Sequence, residues 1–459
     1  MKMRKVMFRK KLIASGLLAA IMATPALAKV GADEAAKLGK ELTYTGAVQA
    51  GNAEGTIPAY EGGLSKPPAC YTGGTWLCNP YPDDKPLFTI TRENLDKYKD
   101  KLSAGQIGMF NKYDTYRMPV YKTRRSAAYP DIVASDTKKN ATNTVLAKGG
   151  NGVLNYAEAG FPFPIPKDAV EAIWNHSLRY RGKSARRITG QATPQVNGSY
   201  SMVIFHDEVV FRQYVSDIKP GEDSNVLFYF TQAVKSPARL AGNILLVHET
   251  IDQVKEPRKA WIYNAGQRRV RRAPQVAYDG PGTAADGLRT ADQFDMFNGA
   301  PDRYDWKLVG KQEMYIPYNS YKLDEKGVPY DDIIKAGHMN PDMTRYELHR
   351  VWKLEAKLKS DTRHIYGART FYLDEDTWQA TVIDLYDGRG NLWRLQEAYG
   401  MVYYTAKVPW YALENSYDLQ NGRYLILGLE NNESSAVEFD FEASKGDYKP
   451  AALRQSGIR

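Results

Sequence analysis

The sequence predicts an α+β protein, mainly antiparallel β, in which helices cover one face of a large curved sheet. After residue 195, apolar residues recur at every second position in run after run, which is the pattern of half-buried strands. Hairpin-type turns, such as YDGRGNLW at 386–393, separate these runs. Before residue 195, short helical signals alternate with Pro- and Gly-rich stretches, and these helices are the available cover for the apolar face.

The clearest strand signal lies at 345–359, RYELHRVWKLEAKLK. Even positions from Tyr346 to Leu358 are apolar except Arg350, and odd positions are charged except Val351. A helix cannot produce this spacing, whereas a strand with one buried face does. At ~3.4 Å per residue the strand would be about 50 Å long, so we expect a bend or bulge.

The pattern divides the chain into four segments. They are a signal peptide at 1–28, a helical and Pro/Gly-rich region at 29–194, a curved antiparallel core at 195–445 and a tail at 446–459. In the second segment, DEAAKLGKEL at 33–42 predicts a short amphipathic helix. Thr91 is predicted to cap another helix, and Asp168 to begin a third at AVEAIWNH.

The first 28 residues have the organisation of a secretory signal peptide. A basic stretch precedes an apolar run from Leu12 to Ala23 and an A-x-A cleavage site that ends at Ala28. The run is too short for a membrane span, which needs ~20 residues, and we predict no span in the mature chain. Cleavage would leave Lys29 first, not a cysteine, which predicts a protein without a lipid anchor. Such a signal leads to the periplasm or beyond the outer membrane, and we predict the periplasm.

The charge of the chain excludes a nucleic-acid binder. Residues 1–28 hold six Lys and Arg and no acid, so the rest carries 56 basic and 53 acidic residues, a net charge of +3. Nucleic-acid affinity depends on neutralising phosphates, and a nearly balanced exported chain is poorly suited to it.

Two cysteines, Cys70 and Cys78, enclose the loop CYTGGTWLC. In an oxidising compartment, a pair this close around a Gly-Gly turn predicts a structural disulfide. Two ligands alone do not make a zinc site, and we predict no metal and no cofactor.

The stretch 259–274, KAWIYNAGQRRVRRAP, holds four arginines in five residues and predicts a hairpin with its turn at 265–267. Trp261 and Tyr263 share one face of the first strand, while arginines fall on both faces of the second. They therefore do not form one phosphate-tracking stripe. An edge hairpin that charge protects from aggregation explains the pattern, and docking to an acidic partner or anionic head groups is the alternative.

Catalytic motifs are absent from the sequence: it has neither GxSxG nor HExxH, and no two histidines stand four apart. His338, His349 and His364 could converge only through tertiary folding. The sequence therefore predicts strand-face or loop histidines and no catalytic residue.

An acidic triplet, 374–376, lies between two strand runs. Acidic residues in a solvent-exposed turn between the two strands would explain this triplet. The alternative is an envelope polymer hydrolase that uses Asp374 and Asp376 as paired carboxylates.

Three long segments resemble a known family. They are EAAKLGKELTYTGAVQAGNAEGTIPAYEGG near the N-terminus, ADGLRTADQFDMFNGAPDRYDWKLVGKQEMYIPYN at 285–319 and MNPDMTRYELHRVWKLEAKLKSDTRHIYGARTFYLDEDTW at 339–378. With the hairpin W-x-Y-x-x-x-x-R-R-V-R-R, they are similar to an uncharacterised proteobacterial family, domain of unknown function 1329, of the LolA/LolB-like outer-membrane lipoprotein-sorting superfamily.

This resemblance implies a deeply curved, incomplete antiparallel barrel whose open side is plugged by helices around an apolar cavity. It also implies the company of RND-type transporters and an outer-membrane protein, and no catalytic residues. The chain lacks the lipidated cysteine of LolB-type receptors, and its N-terminal region has no counterpart in the small lipoprotein carriers. A hydrophobic or acyl ligand other than a lipoprotein is therefore expected.

We predict a soluble, non-catalytic periplasmic carrier or adaptor that holds a lipid-like ligand inside the curved sheet, as an accessory to an RND-type export system. A purely structural interaction adaptor is an alternative. An outer-membrane barrel is a third possibility, disfavoured by the Pro-rich N-terminal third and by a final LRQSGIR without a terminal aromatic residue.

The predicted ligand-binding residues follow from the strand patterns. The cavity wall is assigned to Trp352, Leu354 and Leu358, and its rim to Trp261 and Tyr263. Arg271 and Arg272 are predicted to face an anionic head group or an acidic partner surface.

Overall fold

The structure is a computed structural model that describes residues 30–219, 221–273 and 276–456. The predicted signal peptide at 1–28 lies outside these ranges, so its cleavage stays a prediction. Within them, no helix is both long and apolar enough to cross a membrane.

Most of the α-helices in the described ranges lie before residue 195, as the sequence predicts. The α-helices in the described ranges are α1 (Ala32–Ala35), α2 (Ala104–Lys112), α3 (Asp131–Asn143), α4 (Ala169–Leu178), α5 (Tyr330–Ile333) and α6 (Pro450–Ser456). The predicted start of α4 is confirmed, because the Asp168 side chain accepts a hydrogen bond from Glu171 N at 2.9 Å.

Two predicted helices are shorter than expected. The helix predicted at 33–42 is limited to α1, because the chain reverses at Gly39, whose φ of 79° lies in the left-handed region. The helix after Thr91 is replaced by two 3-10 turns, Leu95–Lys97 and Lys99–Lys101. Here the Asn94 side chain bonds to the backbone at Thr91, which offers the chain an alternative to helix.

The strands account for most of the ordered core. They are β1 (Phe88–Ile90), β2 (Met118–Tyr121), β3 (Val145–Leu146), β4 (Val153–Leu154), β5 (Ser184–Ala192), β6 (Met202–Phe211), β7 (Val226–Ser236), β8 (Ile244–Thr250), β9 (Lys259–Asn264), β10 (Arg269–Arg272), β11 (Tyr304–Pro317), β12 (Tyr346–Leu358), β13 (Ala368–Asp374), β14 (Ala380–Tyr386), β15 (Leu392–Tyr403), β16 (Val408–Asp418), β17 (Tyr424–Leu429) and β18 (Glu438–Phe439).

Sixteen of these strands form one sheet, and fourteen of the sixteen follow one another in the order β1-β2-β12-β13-β14-β15-β16-β17-β5-β6-β7-β8-β9-β10. In addition, β11 pairs with β12 along its length and β18 pairs with β5. The pairings are antiparallel except that of β2 with β12. The sheet is curved and does not close, so the predicted incomplete barrel is confirmed. Strands β1, β2 and β5 come from before residue 195, so the sheet draws on both predicted regions.

The strand predicted at 345–359 is β12, Tyr346–Leu358. The expected irregularity occurs in its partner β11, where the register shifts between Leu308 and Gly310. Only the second half of β12 has one buried face. Glu347 and His349 in the first half are buried as well, because the N-terminal region covers that side of the sheet.

Helices α2 and α4 pack on the sheet, α2 against β14 and β15, and α4 against β11 and β12. At the start of α2, the buried carboxylate of Asp384 accepts hydrogen bonds from Ser103 Oγ at 2.8 Å and Gly105 N at 2.9 Å. A carboxylate at the positive end of a helix is favourable, and this one ties α2 to β14.

Two peripheral features complete the fold. Cys70 and Cys78 form the predicted disulfide, with their Cα atoms 6.1 Å apart. Closing so short a loop contributes about 2–3 kcal/mol on the chain-entropy estimate. The segment predicted as a tail at 446–459 instead contains α6, which packs against β8, β9 and β10.

Glu397 in β15 is a buried carboxyl group that connects α2 to the sheet. It accepts hydrogen bonds from Gln106 Nε2 at 3.1 Å, Tyr346 OH at 3.1 Å and Tyr399 OH at 2.9 Å. Burial raises its pKa from 4.5 to about 7, against the effect of these donors.

This raised pKa predicts a pH-dependent stability. The folded protein holds the Glu397 proton more tightly than the unfolded chain, so its contribution is complete below pH 4.5 and is lost as pH rises through about 7. The loss should be on the order of 3 kcal/mol. We expect Glu397→Gln to flatten the fall in unfolding free energy between pH 5 and 8, measured by urea denaturation.

Exposed Glu54 provides the control, since Glu54→Gln should leave the wild-type pH profile unchanged. Parallel profiles for the wild type and Glu397→Gln would contradict the prediction.

Candidate functional site

A cavity lies between the β5–β8 part of the sheet and the segment 276–298. Its empty volume is about 830 Å³, including space open to solvent. Apolar and charged side chains share the lining, which comprises Arg187, Thr189, Gly190, Gln191, Phe205, Asp207, Phe228, Phe230, Gln232, Leu245, Val247, Glu249, Arg258, Val276, Pro281, Gly282, Thr283, Arg289, Thr290, Ala291, Phe294, Asn298, Leu427 and Gly428.

The strand residues of the lining share one face of the sheet. Arg187 in β5 pairs with Asp207 in β6, which pairs with Gln232 in β7. Two residues before Gln232 in β7, Phe230 pairs with Val247 in β8. Successive side chains of a strand point to opposite faces, so these cross-strand neighbours converge on the same side.

The segment 276–298 forms the opposite wall. It is held in shape by a capping box in which Thr290 N donates to Gln293 Oε1 at 2.8 Å. The Phe294 ring lies 5.3 Å from that of Phe230 and 6.5 Å from that of Phe228, between ring centroids. An aromatic cluster therefore bridges the segment and the sheet.

A buried ion pair fastens this segment to β8. Arg258 Nε lies 2.7 Å from Glu249 Oε2, and the guanidinium donates to the carbonyl oxygens of Val276 and Asn298, both at 2.6 Å. The Asn298 amide donates back to Glu249 Oε2 at 2.9 Å. Burial raises the pKa of Glu249 although Arg258 opposes this shift. The pair is part of the cavity lining, and Arg258 and Asn298 already occupy the Glu249 carboxylate.

The residues predicted for the rim, Trp261 and Tyr263, lie on the other face of the sheet. Trp261 pairs with Leu246 and Tyr263 with Ile244, whereas the cavity-lining Leu245 pairs with Ile262. Tyr263 is buried in a cluster that includes Leu453 of α6. The hairpin prediction is confirmed, but strand alternation directs both aromatics away from this cavity.

The residues predicted for the wall, Trp352, Leu354 and Leu358, lie in β12 rather than in the strands around the cavity. Leu354 is fully buried in the main core, and Leu358 packs against it. The Trp352 ring stacks 5.8 Å from that of Trp378. None of the three lines this cavity, because core side chains already fill the space over β12.

Arg271 and Arg272 lie in β10, the strand at one end of the sheet, as an edge hairpin requires. Both are exposed, and neither lines the cavity. Their role in recognition stays a prediction.

The acidic triplet is not solvated, so that prediction is wrong. Asp374, Glu375 and Asp376 are 0%, 2% and 3% exposed, because the N-terminal region covers the turn. Arg125 holds Asp376 through two hydrogen bonds, of 2.9 and 2.6 Å, and Val48 N donates to Glu375 at 3.2 Å.

One potential metal-ligand group belongs to this network. Ligand atoms of His349, Asp374 and Asp376 lie within 4.8 Å of one another. The bidentate guanidinium of Arg125 already neutralises Asp376 and would repel a metal ion bound beside it. Buried charge pairing describes the group, and none of the three borders the cavity.

The charged residues of the lining were not predicted from the sequence. A signal does exist: Glu249 interrupts the apolar run NILLVHETID, and Asp207 the run SMVIFHDEVVF. Acids on an apolar strand face need partners, and those partners, Arg258 and Arg187, stand elsewhere in the chain.

The Arg258–Glu249 pair yields a stability prediction. Arg258→Met leaves Glu249 buried without its counter-ion, which should lower the unfolding free energy by about 3–5 kcal/mol. The double variant Arg258→Met/Glu249→Leu should lose less, because no uncompensated charge remains. Urea denaturation of the four proteins in the cycle tests this. A single-variant loss no larger than that of the double variant would contradict it.

The comparisons with known proteins give the family. A family model described as "Protein of unknown function (DUF1329)" matches residues 89–454. The uncharacterized protein PA3922 of Pseudomonas aeruginosa is 61% identical over 452 residues, which cover 98% of this chain and 99% of the relative.

Two solved structures are similar at lower identity. A DUF1329 family protein from Desulfovibrio piger has a TM-score of 0.41 and 13% identity, over 59% of this chain and 92% of that one. A LolA superfamily protein from Nitrosomonas europaea has a TM-score of 0.37 and 9% identity, over 62% of this chain and 98% of that one.

The family match extends over most of the chain and includes every strand that borders the cavity. The P. aeruginosa relative matches over nearly its whole length. The predicted family is therefore confirmed, and the chain belongs to the DUF1329 family.

Proposed function

We propose that this protein is a periplasmic carrier that holds a lipid-like molecule in the cavity between β5–β8 and residues 276–298. The cavity itself is the observation that supports this function. Four phenylalanines, Phe205, Phe228, Phe230 and Phe294, line a space of about 830 Å³ that is partly open to solvent. Ligand sites are typically concave and lined mainly by apolar and aromatic side chains, with a few polar groups among them.

The proposed mechanism is burial without covalent chemistry. A twelve-carbon chain gains up to about 9 kcal/mol at about 0.8 kcal/mol per buried CH₂, before the costs of association are subtracted. The two carboxylates of the lining, Asp207 and Glu249, lie beside Arg187 and Arg258, respectively. Such pairing suits a structural part in the wall better than acid–base catalysis.

The periplasmic location rests on the predicted signal peptide. An accessory role beside an RND-type transporter and an outer-membrane protein rests on the family resemblance of the sequence. In that role the protein would pass its apolar ligand between membrane components without exposing it to water.

Native mass spectrometry of protein purified from periplasm tests the proposal directly. We expect a stoichiometric apolar molecule, which denaturing lipid extraction would then identify by class. If the purified protein contains no ligand and takes up no fluorescent acyl probe, the result would argue against a carrier and in favour of an interaction adaptor.

A cavity-filling variant makes the location of the site testable. Leu245 lines the cavity, and its cross-strand partner Ile262 is 42% exposed and does not. Leu245→Trp should reduce uptake of a fluorescent acyl probe by about tenfold or more, since the indole occupies apolar space that the chain needs. Ile262→Trp, the same change on the neighbouring strand, should bind the probe like the wild type. Equal binding by all three proteins would place the ligand elsewhere.

A second candidate function, docking to an acidic surface, is favoured by the exposed arginines of β10. No ion pair or hydrogen bond ties the side chain of Arg271 or Arg272 to another residue in the described ranges. We expect Arg271→Glu/Arg272→Glu to weaken binding to phosphatidylglycerol vesicles by about 30-fold or more, at about 1 kcal/mol per basic residue near an anionic surface.

Vesicle co-sedimentation measures this effect, and far-UV circular dichroism checks the fold. Lys37→Glu/Lys40→Glu, which reverses two other exposed charges, serves as the charge-matched control. If both double variants bind like the wild type, the hairpin takes no part in recognising anionic lipid.

A further inference from the structure

Three guanidinium groups border the cavity, and two of them have carboxylate partners. Arg258 pairs with Glu249 at 2.7 Å, and Arg187 Nε lies 3.7 Å from Asp207 Oδ2. The third belongs to Arg289, in the segment that covers the sheet. With Asp207 and Glu249 as its acids, the lining carries one more positive than negative side chain.

Arg289 has no such partner among the residues that the structure describes. The residue is 7% exposed, and its Nε and Nη1 donate no hydrogen bond. No carboxylate oxygen in the described ranges lies within 4.0 Å of its guanidinium nitrogens. Burying unsatisfied donors on a charged group is unfavourable, so the native state of this site calls for an acceptor.

The backbone holds Arg289 in place. Gly282 N donates to Arg289 O at 2.9 Å across an isolated β-bridge between the neighbouring residues Pro281 and Thr290. A Cβ at Gly282 would lie 3.1 Å from Arg289 Nε, so glycine leaves the room that the guanidinium occupies. The position of this cation is therefore built into the covering segment.

The charged neighbours of Arg289 do not replace a partner. Asp207 already lies beside Arg187 and accepts a hydrogen bond from Gln232 at 3.0 Å. Glu414 is buried, and both of its carboxyl oxygens lack a hydrogen bond within the described residues. Burial raises the pKa of Glu414 to about 7, which reduces its negative charge near neutral pH.

We propose that the cavity binds an amphiphile that carries an anionic head group, a carboxylate or a phosphate, on an apolar chain, and that Arg289 binds the head. This inference rests on the carrier function proposed above and names the class of its ligand. A guanidinium donates two parallel hydrogen bonds to either kind of oxyanion, and such charge-assisted bonds strengthen where water is excluded.

The surroundings suit the rest of such a molecule. Phe228, Phe230 and Phe294 border this cavity and also an adjoining one, whose empty volume of about 450 Å³ includes space open to solvent. The aromatic wall is thus continuous between the two spaces, and it can take the chain while the head stays at Arg289.

Three probes with the same chain test the inference: dodecanoate and monododecyl phosphate, each below its critical micelle concentration, and dodecan-1-ol below its solubility limit. Isothermal titration calorimetry on delipidated wild-type protein should show at least one anion binding about tenfold or more tighter than the alcohol. The tighter anion then distinguishes a fatty-acid ligand from a phosphate-bearing one.

Variants test whether Arg289 is responsible for the tighter binding of the anion. In Arg289→Met the preference for the anion should disappear while the affinity for dodecan-1-ol stays within about twofold. Arg289→Lys should keep part of the preference, because it retains the charge but not the planar pair of donors. Arg239→Met, which changes an exposed arginine, should retain the full preference for the anion.

Glu414→Gln keeps the test decisive if Arg289→Met does not fold. Removing the nearby carboxyl group should strengthen binding of the anions and leave that of dodecan-1-ol unchanged. Equal affinities of the three probes for the wild type, or an unchanged preference in Arg289→Met, would overturn the head-group assignment alone. Failure of all three probes to bind would overturn the carrier function as well.

Discussion

The ladder between β5 and β17 joins the two series of strands into one sheet. Ile426 pairs with Ala192, Leu427 with Gln191 and Leu429 with Gly190, so residues more than 200 positions apart become neighbours. The register shifts at Gly428, whose φ of 104° lies in a region that other residues rarely adopt. A Cβ there would also lie 2.8 Å from the Ala412 carbonyl oxygen.

The cavity depends on this junction. Residues 189–191 of β5 and residues 427–428 of β17 all contribute to its lining. Beyond the junction, β6 to β8 extend the same face, while α6 covers the opposite one. Because both faces of these strands are covered, the alternation along them decides which side chains meet a ligand and which belong to the core.

Charged side chains are buried in the interior of the protein, and they are arranged in two ways. Around Asp376 the charges are matched, with Arg125 providing a bidentate partner, and the group serves to hold the N-terminal region on the sheet. Around the cavity the matching is incomplete, since Arg289 has no carboxylate within ion-pairing distance in the described ranges. Buried charges are stable only when they are compensated, and so the two networks suggest different roles, one structural and one for an incoming ligand.

The sequence by itself determined the local features: the strand at 345–359, the start of α4, the arginine hairpin, the disulfide and the family. These depend on spacing, capping and turn chemistry, which are properties of neighbouring residues. The tertiary structure alone decided which face of each strand borders the cavity. Trp261 and Leu245 lie in equally convincing strands, yet cross-strand register places them on opposite sides of the sheet.

Tertiary contacts also decided which charges are buried. The triplet at 374–376 has the sequence of a solvated turn, and only the overlying N-terminal region converts it into an interior network. Likewise, Arg289 lies in a loop-like stretch whose sequence does not reveal a cavity. Hydrophobic periodicity and secondary-structure propensity depend on a few neighbouring residues. Burial and ion pairing, in contrast, are fixed by chain segments that meet only in the folded protein.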